Sequence, residues 1–213
     1  MQKISPRSRV PASPRQSQPT TFVRSVMLVG IAIATFSDRA TALPGQTTAE
    51  VAAWIKGNPT LRPYSGQTLL VHRIDTPAQR FTFEASVLAP GLAVPLGDPG
   101  IVRTERINLF DMINGVTPNR LQESLRIIYG LEIYQDFQQA RVIYSYPNPA
   151  MIQEARTLAL PLEEAIKGEL RLGSRFAYWV EFPQPQEGKP IMGKITILLK
   201  SDVDKLEAEL RNR

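Results

Sequence analysis

Residues 80–88 read RFTFEASVL, with Phe81, Phe83, Ala85 and Val87 alternating with Thr82, Glu84 and Ser86. That period of two describes a strand with one face on a core and the other towards water. A half-buried strand needs partners, so a sheet is the frame of this fold, and the rest of the chain is read outward from it.

Upstream, residues 68–74 predict a second strand, preceded by a turn-rich link through Pro63, Ser65 and Gly66. Before the link, Thr47-Thr48-Ala49-Glu50 forms a capping box, in which the Thr hydroxyl and the Glu carboxylate each satisfy an otherwise unpaired amide. It opens a helix over 49–56, closed by Gly57-Asn58-Pro59, with Val51, Trp54 and Ile55 on one face.

Downstream, residues 89–100 (APGLAVPLGDPG) hold three prolines and three glycines and predict a loop. A strand over 101–109 follows. Thr117-Pro118 starts a helix with Leu121, Leu125 and Ile128 as its buried stripe, ended by Gly130. A short helix over 131–139 and a strand over 141–146 come next. Asn148-Pro149 opens a helix to about Leu158, and Pro161 opens a shorter one ended by Gly168. Residues 169–172, 175–182 and 191–200 predict strands, and Ser201-Asp202-Val203-Asp204 caps a last amphipathic helix carrying Leu206 and Leu210. Helices and strands mix without strict alternation, and the connections favour antiparallel pairing. The expectation is an α+β fold: a single domain over 43–213, with a partly antiparallel sheet of about six strands and several short helices packed on one side.

Charge separates the first 42 residues from the rest. The chain of 213 residues carries a net +5, yet residues 1–42 hold six bases against one acid, and the remainder holds nineteen of each. A neutral domain has no bulk electrostatic reason to seek phosphate, so nucleic acid is not an expected partner. Residues 1–42 read as a signal peptide: a basic Ser/Pro-rich region, an apolar run at 26–36 (VMLVGIAIATF), and Ala40-Thr41-Ala42 before a cleavage point after Ala42. The apolar run is shorter than the roughly 20 residues that span a bilayer. The expected destination is periplasm or thylakoid lumen, with no integral membrane span once the leader is removed. An uncleaved leader anchoring the chain is the alternative, and Met27 is an alternative start. There is no cysteine, which removes thiol nucleophiles, disulfides and zinc–thiolate sites.

Few residues carry recognisable chemistry. His72 is the only histidine, predicted mid-strand on the face shared with Leu70 and Ile74, and it has no nearby nucleophile in a G-x-S-x-G elbow. Glu181 and the neighbouring pair Glu163-Glu164 are the candidate acids. His72 and Glu181 are the candidate catalytic residues, with a structural histidine and solvated or helix-start acids as the simpler readings. No metal site and no cofactor are expected, because ligand clusters, phosphate loops and dinucleotide fingerprints are missing from the sequence. The candidate binding residues are the tyrosines of the aromatic stretch 129–146, namely Tyr129, Tyr134, Tyr144 and Tyr146, together with Leu92, Val94 and Leu96 of the proline-rich loop. Packing of helices onto the sheet is the alternative role for the tyrosines, and covering the core is the alternative for the loop.

The blocks FTFEASVLAPG (81–91), INLFDMINGVT (107–117) and RFAYWVEF (175–182) resemble stretches of uncharacterised exported proteins of cyanobacterial type. The resemblance implies a non-cytoplasmic location and carries no activity. Two functions compete on the sequence. One is a non-catalytic binding or accessory protein whose partner is a membrane-associated protein complex. The other is a small exported hydrolase acting through His72 or a carboxylate pair.

Overall fold

The computed structural model describes residues 43–91, 100–159, 166–183 and 188–212. All belong to one compact unit, Arg39–Arg213. The leader, the loop residues Leu92, Val94 and Leu96, and Glu163-Glu164 lie outside the described residues.

The elements run α1 (Thr48–Gly57), β1 (Leu70–Arg73), β2 (Gln79–Ser86), β3 (Thr104–Asp111), α2 (Pro118–Tyr129), α3 (Leu131–Gln139), β4 (Arg141–Tyr146), α4 (Pro149–Thr157), β5 (Ile166–Leu172), β6 (Ala177–Pro183), β7 (Met192–Leu198) and α5 (Val203–Arg211). A one-turn 3₁₀ segment, Lys200–Asp202, leads into α5. The fold class is α+β, as the sequence predicts. The described strands number seven rather than about six, in the order β1-β2-β3-β7-β6-β5-β4, and every pairing among them is antiparallel. Two meanders, β1-β2-β3 and β4-β5-β6-β7, therefore meet at one seam between β3 and β7.

Alternation along the strands builds two cores. Phe83, Ile107, Ile195, Ile197, Tyr178 and Val180 face one side, where Val51 and Ile55 of α1, Leu121 and Leu125 of α2, and Ile133 and Phe137 of α3 cover them. Their neighbours Ala177, Trp179 and Leu198 face the other side and bury Val203, Leu206 and Leu210 of α5. Helices thus lie on both faces, where the sequence reading placed them on one. The stripe of α5 fits the face that α1–α3 leave free.

The capping box forms as read, with Thr47 and Glu50 capping each other's amides. Four boundaries move for identifiable reasons. β3 begins at Thr104 rather than 101, because the backbone of Gly100 and Val102 bonds instead to Gly45, Gln46 and Thr48. β1 ends at Arg73, since Ile74 takes a positive φ of 51° and leaves the strand. β6 begins at Ala177, because Asp136 of α3 gathers the amides of Ser174, Arg175 and Phe176 into a turn. Residues 166–168, read as the end of a helix closed by Gly168, are the start of β5, and Gly168 lies mid-sheet between Tyr146 and Glu181.

Two finer readings also change. Alternation puts Val142, Tyr144 and Tyr146 on one face of β4, but a bulge between Val142 and Tyr144 takes Val142 off it. Asp202 makes no side-chain cap for α5; its carboxylate pairs with Arg103. Among the described residues no helix is long and apolar enough to cross a membrane.

Candidate functional site

The α1–α3 side of the sheet is the more fully covered, with a hollow of about 310 Å³ left between α2, α3 and residues Lys167, Glu169 and Val180. Among the described residues α5 covers the other side over only part of its area, and the remainder carries a row of mostly polar residues. In cross-strand register the row runs His72–Thr82–Asn108–Lys194–Glu181–Gly168–Tyr146, one residue from each of the seven strands. Each is the outward member of its strand's alternation, which is why polar side chains collect there.

The Glu181 end of the row is tightly knit. Glu181 is buried, yet it accepts a hydrogen bond from the Tyr146 hydroxyl at 2.6 Å and is ion-paired with Lys194. Trp179 Nε1 donates to the same hydroxyl at 2.8 Å. The Lys194 ammonium also sits 4.4 Å from the centroid of the Trp179 ring, a cation–π arrangement. Gly168 makes this possible: a Cβ there would overlap the Tyr146 ring.

Beside the knot lies a groove of about 620 Å³, within the size range of ligand sites. Thr82, Asn108, Lys194 and Glu181 line its polar side, and Phe110 and Met192 its apolar side. Met192 is 48% exposed and Ile166, at the rim, 37%. A second hollow of about 590 Å³ opens between the sheet and α5, and Lys194 lines both. Under that part of the sheet, Arg106 Nε and Thr196 Oγ1, on register-paired residues, are buried without hydrogen-bond partners.

His72 and Glu181 share the row but stand four strand spacings apart, about 19 Å at roughly 4.8 Å per step. No single bond is within reach of both. His72 is half-buried, and its ring nitrogen lies 3.4 Å from Thr82 Oγ1. Asp75, an exposed residue, pairs with Arg80 instead. Among the described residues no cluster of His, Asp and Glu could hold a metal ion.

The four nominated tyrosines do not make one surface. Tyr129 is buried on the α1–α3 side, where its hydroxyl donates to Glu105 Oε2 at 2.6 Å. Tyr144 and Tyr146 are buried on the other side, stacked at 6.0 Å between centroids. The Tyr144 hydroxyl donates to the Leu210 carbonyl and so ties α5 to the sheet. Tyr134 is half-buried on α3. Thr82, Asn108, Lys194 and Met192 escaped the sequence reading. Alternation marks Thr82 as outward-facing, but only strand order puts it beside Asn108, Lys194 and Met192.

Compared with protein-family models, curated proteins and solved structures, the chain matches none.

Proposed function

We propose that this chain is an exported, non-catalytic binding or accessory protein that engages a component of a membrane-associated protein complex through the open face of its sheet. The observation that carries the reading is the character of the groove. Its charged groups are already paired, Lys194 with Glu181 and Arg80 with Asp75, while Met192 and Ile166 are exposed and Phe110 half-buried. Exposed apolar area beside satisfied polar groups is what a partner's surface buries on contact. A protein segment of mixed polarity and no net charge fits such a surface. Against a hydrolase stands the separation of His72 from Glu181, and Glu181 has no second carboxylate beside it in the row. Export rests on the basic, apolar and small-residue sequence of residues 1–42.

The test is co-purification of the tagged protein from its native membrane, run beside Met192→Glu. The variant should keep its melting temperature, because Met192 is half exposed, and should lose the partner. Retention of the partner by a folded Met192→Glu protein would remove the open face from the proposal. Intact-mass measurement of native material should show residues 1–42 removed; the full 23.8 kDa mass would remove export by a cleaved leader.

A further inference from the structure

The α1–α3 side of the sheet holds a carboxyl group that the groove does not use. Glu105 is the β3 residue registered between Ala85 of β2 and Ile197 of β7, and it is 0% exposed. Its Oε2 meets one neutral donor, the Tyr129 hydroxyl, at 2.6 Å. Its Oε1 has no partner. Tyr129 closes α2, and its ring stacks on Trp54 of α1 at 5.7 Å. Phe83 of β2 lies 6.0 Å from Trp54 and 6.3 Å from Tyr129 between centroids, completing an aromatic enclosure.

The groups around Glu105 are neutral: Ala85 of β2 and Ile197 of β7 by register, Tyr129 of α2 by hydrogen bond, and Trp54 of α1 and Phe83 of β2 through their rings against Tyr129. Tyr178 of β6 acts electrostatically on Tyr129 and is itself a neutral phenol, hydrogen-bonded to Asp136. No lysine or arginine among the described residues pairs with Glu105. An ionised carboxylate in such surroundings carries a large desolvation cost, and the neutral acid a much smaller one.

We infer that Glu105 is a proton-operated latch: neutral, it holds α1 and α2 against the sheet through Tyr129 and Trp54; ionised, it loosens them. Burial pushes its carboxyl up to about 7, against the smaller lowering effect of the Tyr129 hydrogen bond. An acid with a raised folded-state value keeps its full contribution at pH below the unfolded value near 4.5. It loses that contribution as pH rises towards 7, because over that window only the unfolded chain has released its proton. The latch lies on the face opposite the groove and does not depend on what the groove binds.

The test uses the full chain labelled with ¹³C and ¹⁵N. The Glu105 carboxyl resonance should titrate near pH 7. Amide exchange in α1 and at the end of α2, corrected for the intrinsic pH effect, should quicken by about two orders of magnitude between pH 5 and pH 8, as a shift of this size requires. In Glu105→Gln that acceleration should vanish. A Glu105 carboxyl titrating between 4 and 5, or a folded Glu105→Gln protein with the same pH response, would overturn the latch. The carboxyl titration decides the matter by itself if the variant does not fold.

Discussion

The Tyr146 hydroxyl on the edge strand β4 reaches Oε1 of Glu181 on β6 by crossing over β5 at Gly168. A hydrogen bond that skips a strand is available only where the strand between carries no side chain. The contact also orders two other groups, since Trp179 donates to the same hydroxyl and Lys194 pairs with the same carboxylate.

Gly168→Ala should therefore be costly out of proportion to one methyl group. The new Cβ collides with the Tyr146 ring, and Tyr146 has no free space to move into because it is buried and stacked on Tyr144. Overpacking of this kind costs about 1–3 kcal/mol. Thermal melting should show a loss of several degrees; an unchanged midpoint would mean that Tyr146 is not held where the structure places it.

Tyr146→Phe removes a hydroxyl that both accepts from Trp179 and donates to Glu181. The expected loss is about 1–3 kcal/mol, with Trp179 fluorescence shifted. Combined with Glu181→Gln in a double-mutant cycle, the two changes should be strongly non-additive, because they dismantle one contact. Additive effects would separate the pair.

His72→Ala should change little. Its one polar neighbour, Thr82 Oγ1, is 3.4 Å away, a weak contact on a half-buried side chain. The melting temperature should stay within a degree or two and partner capture should persist. An activity lost at constant stability would revive a catalytic role for this residue.

Asp136 should contribute to the acid side of the stability profile. Burial alone would raise its pKa, but hydrogen bonds from Ser174, Tyr178 and the amides of Ser174 and Arg175 outweigh it and hold the value below normal. A depressed carboxylate stabilises the fold above the unfolded value of about 3.9 and loses that effect as pH falls through the folded one. Asp136→Ala should cost about 2–3 kcal/mol at pH 7 and progressively less below pH 4, read from denaturant melts across pH. A gap between variant and parent that does not narrow in acid would contradict this.

Local patterns made much of the fold legible. Alternation at 81–86 and the capping signals at Thr47, Thr117 and Asn148 place β2, α1, α2 and α4 close to where they lie. The misreadings have a common origin in long-range partners. Gly168 reads as a helix stop by local grammar, and only its neighbour Tyr146 explains a glycine within a strand. Asp202 reads as a cap, and only Arg103, 99 residues away, explains why it is not one. Of the site, Glu181 was nominated, but the row around it depends on β3 and β7 lying side by side. Nothing local to Glu105 announces that Tyr129 and Trp54 will close over it.

The seam between β3 and β7 has a consequence for how the chain is made. Among the described strands every other pairing joins neighbours in sequence, whereas this one unites the third strand with the seventh. A growing polypeptide therefore has an unfinished edge on each meander until its last strand is synthesised, and cannot lock before then. A chain that stays unlocked until complete remains threadable through a narrow pore, and one cut before residue 192 leaves two half-sheets with nothing to join them.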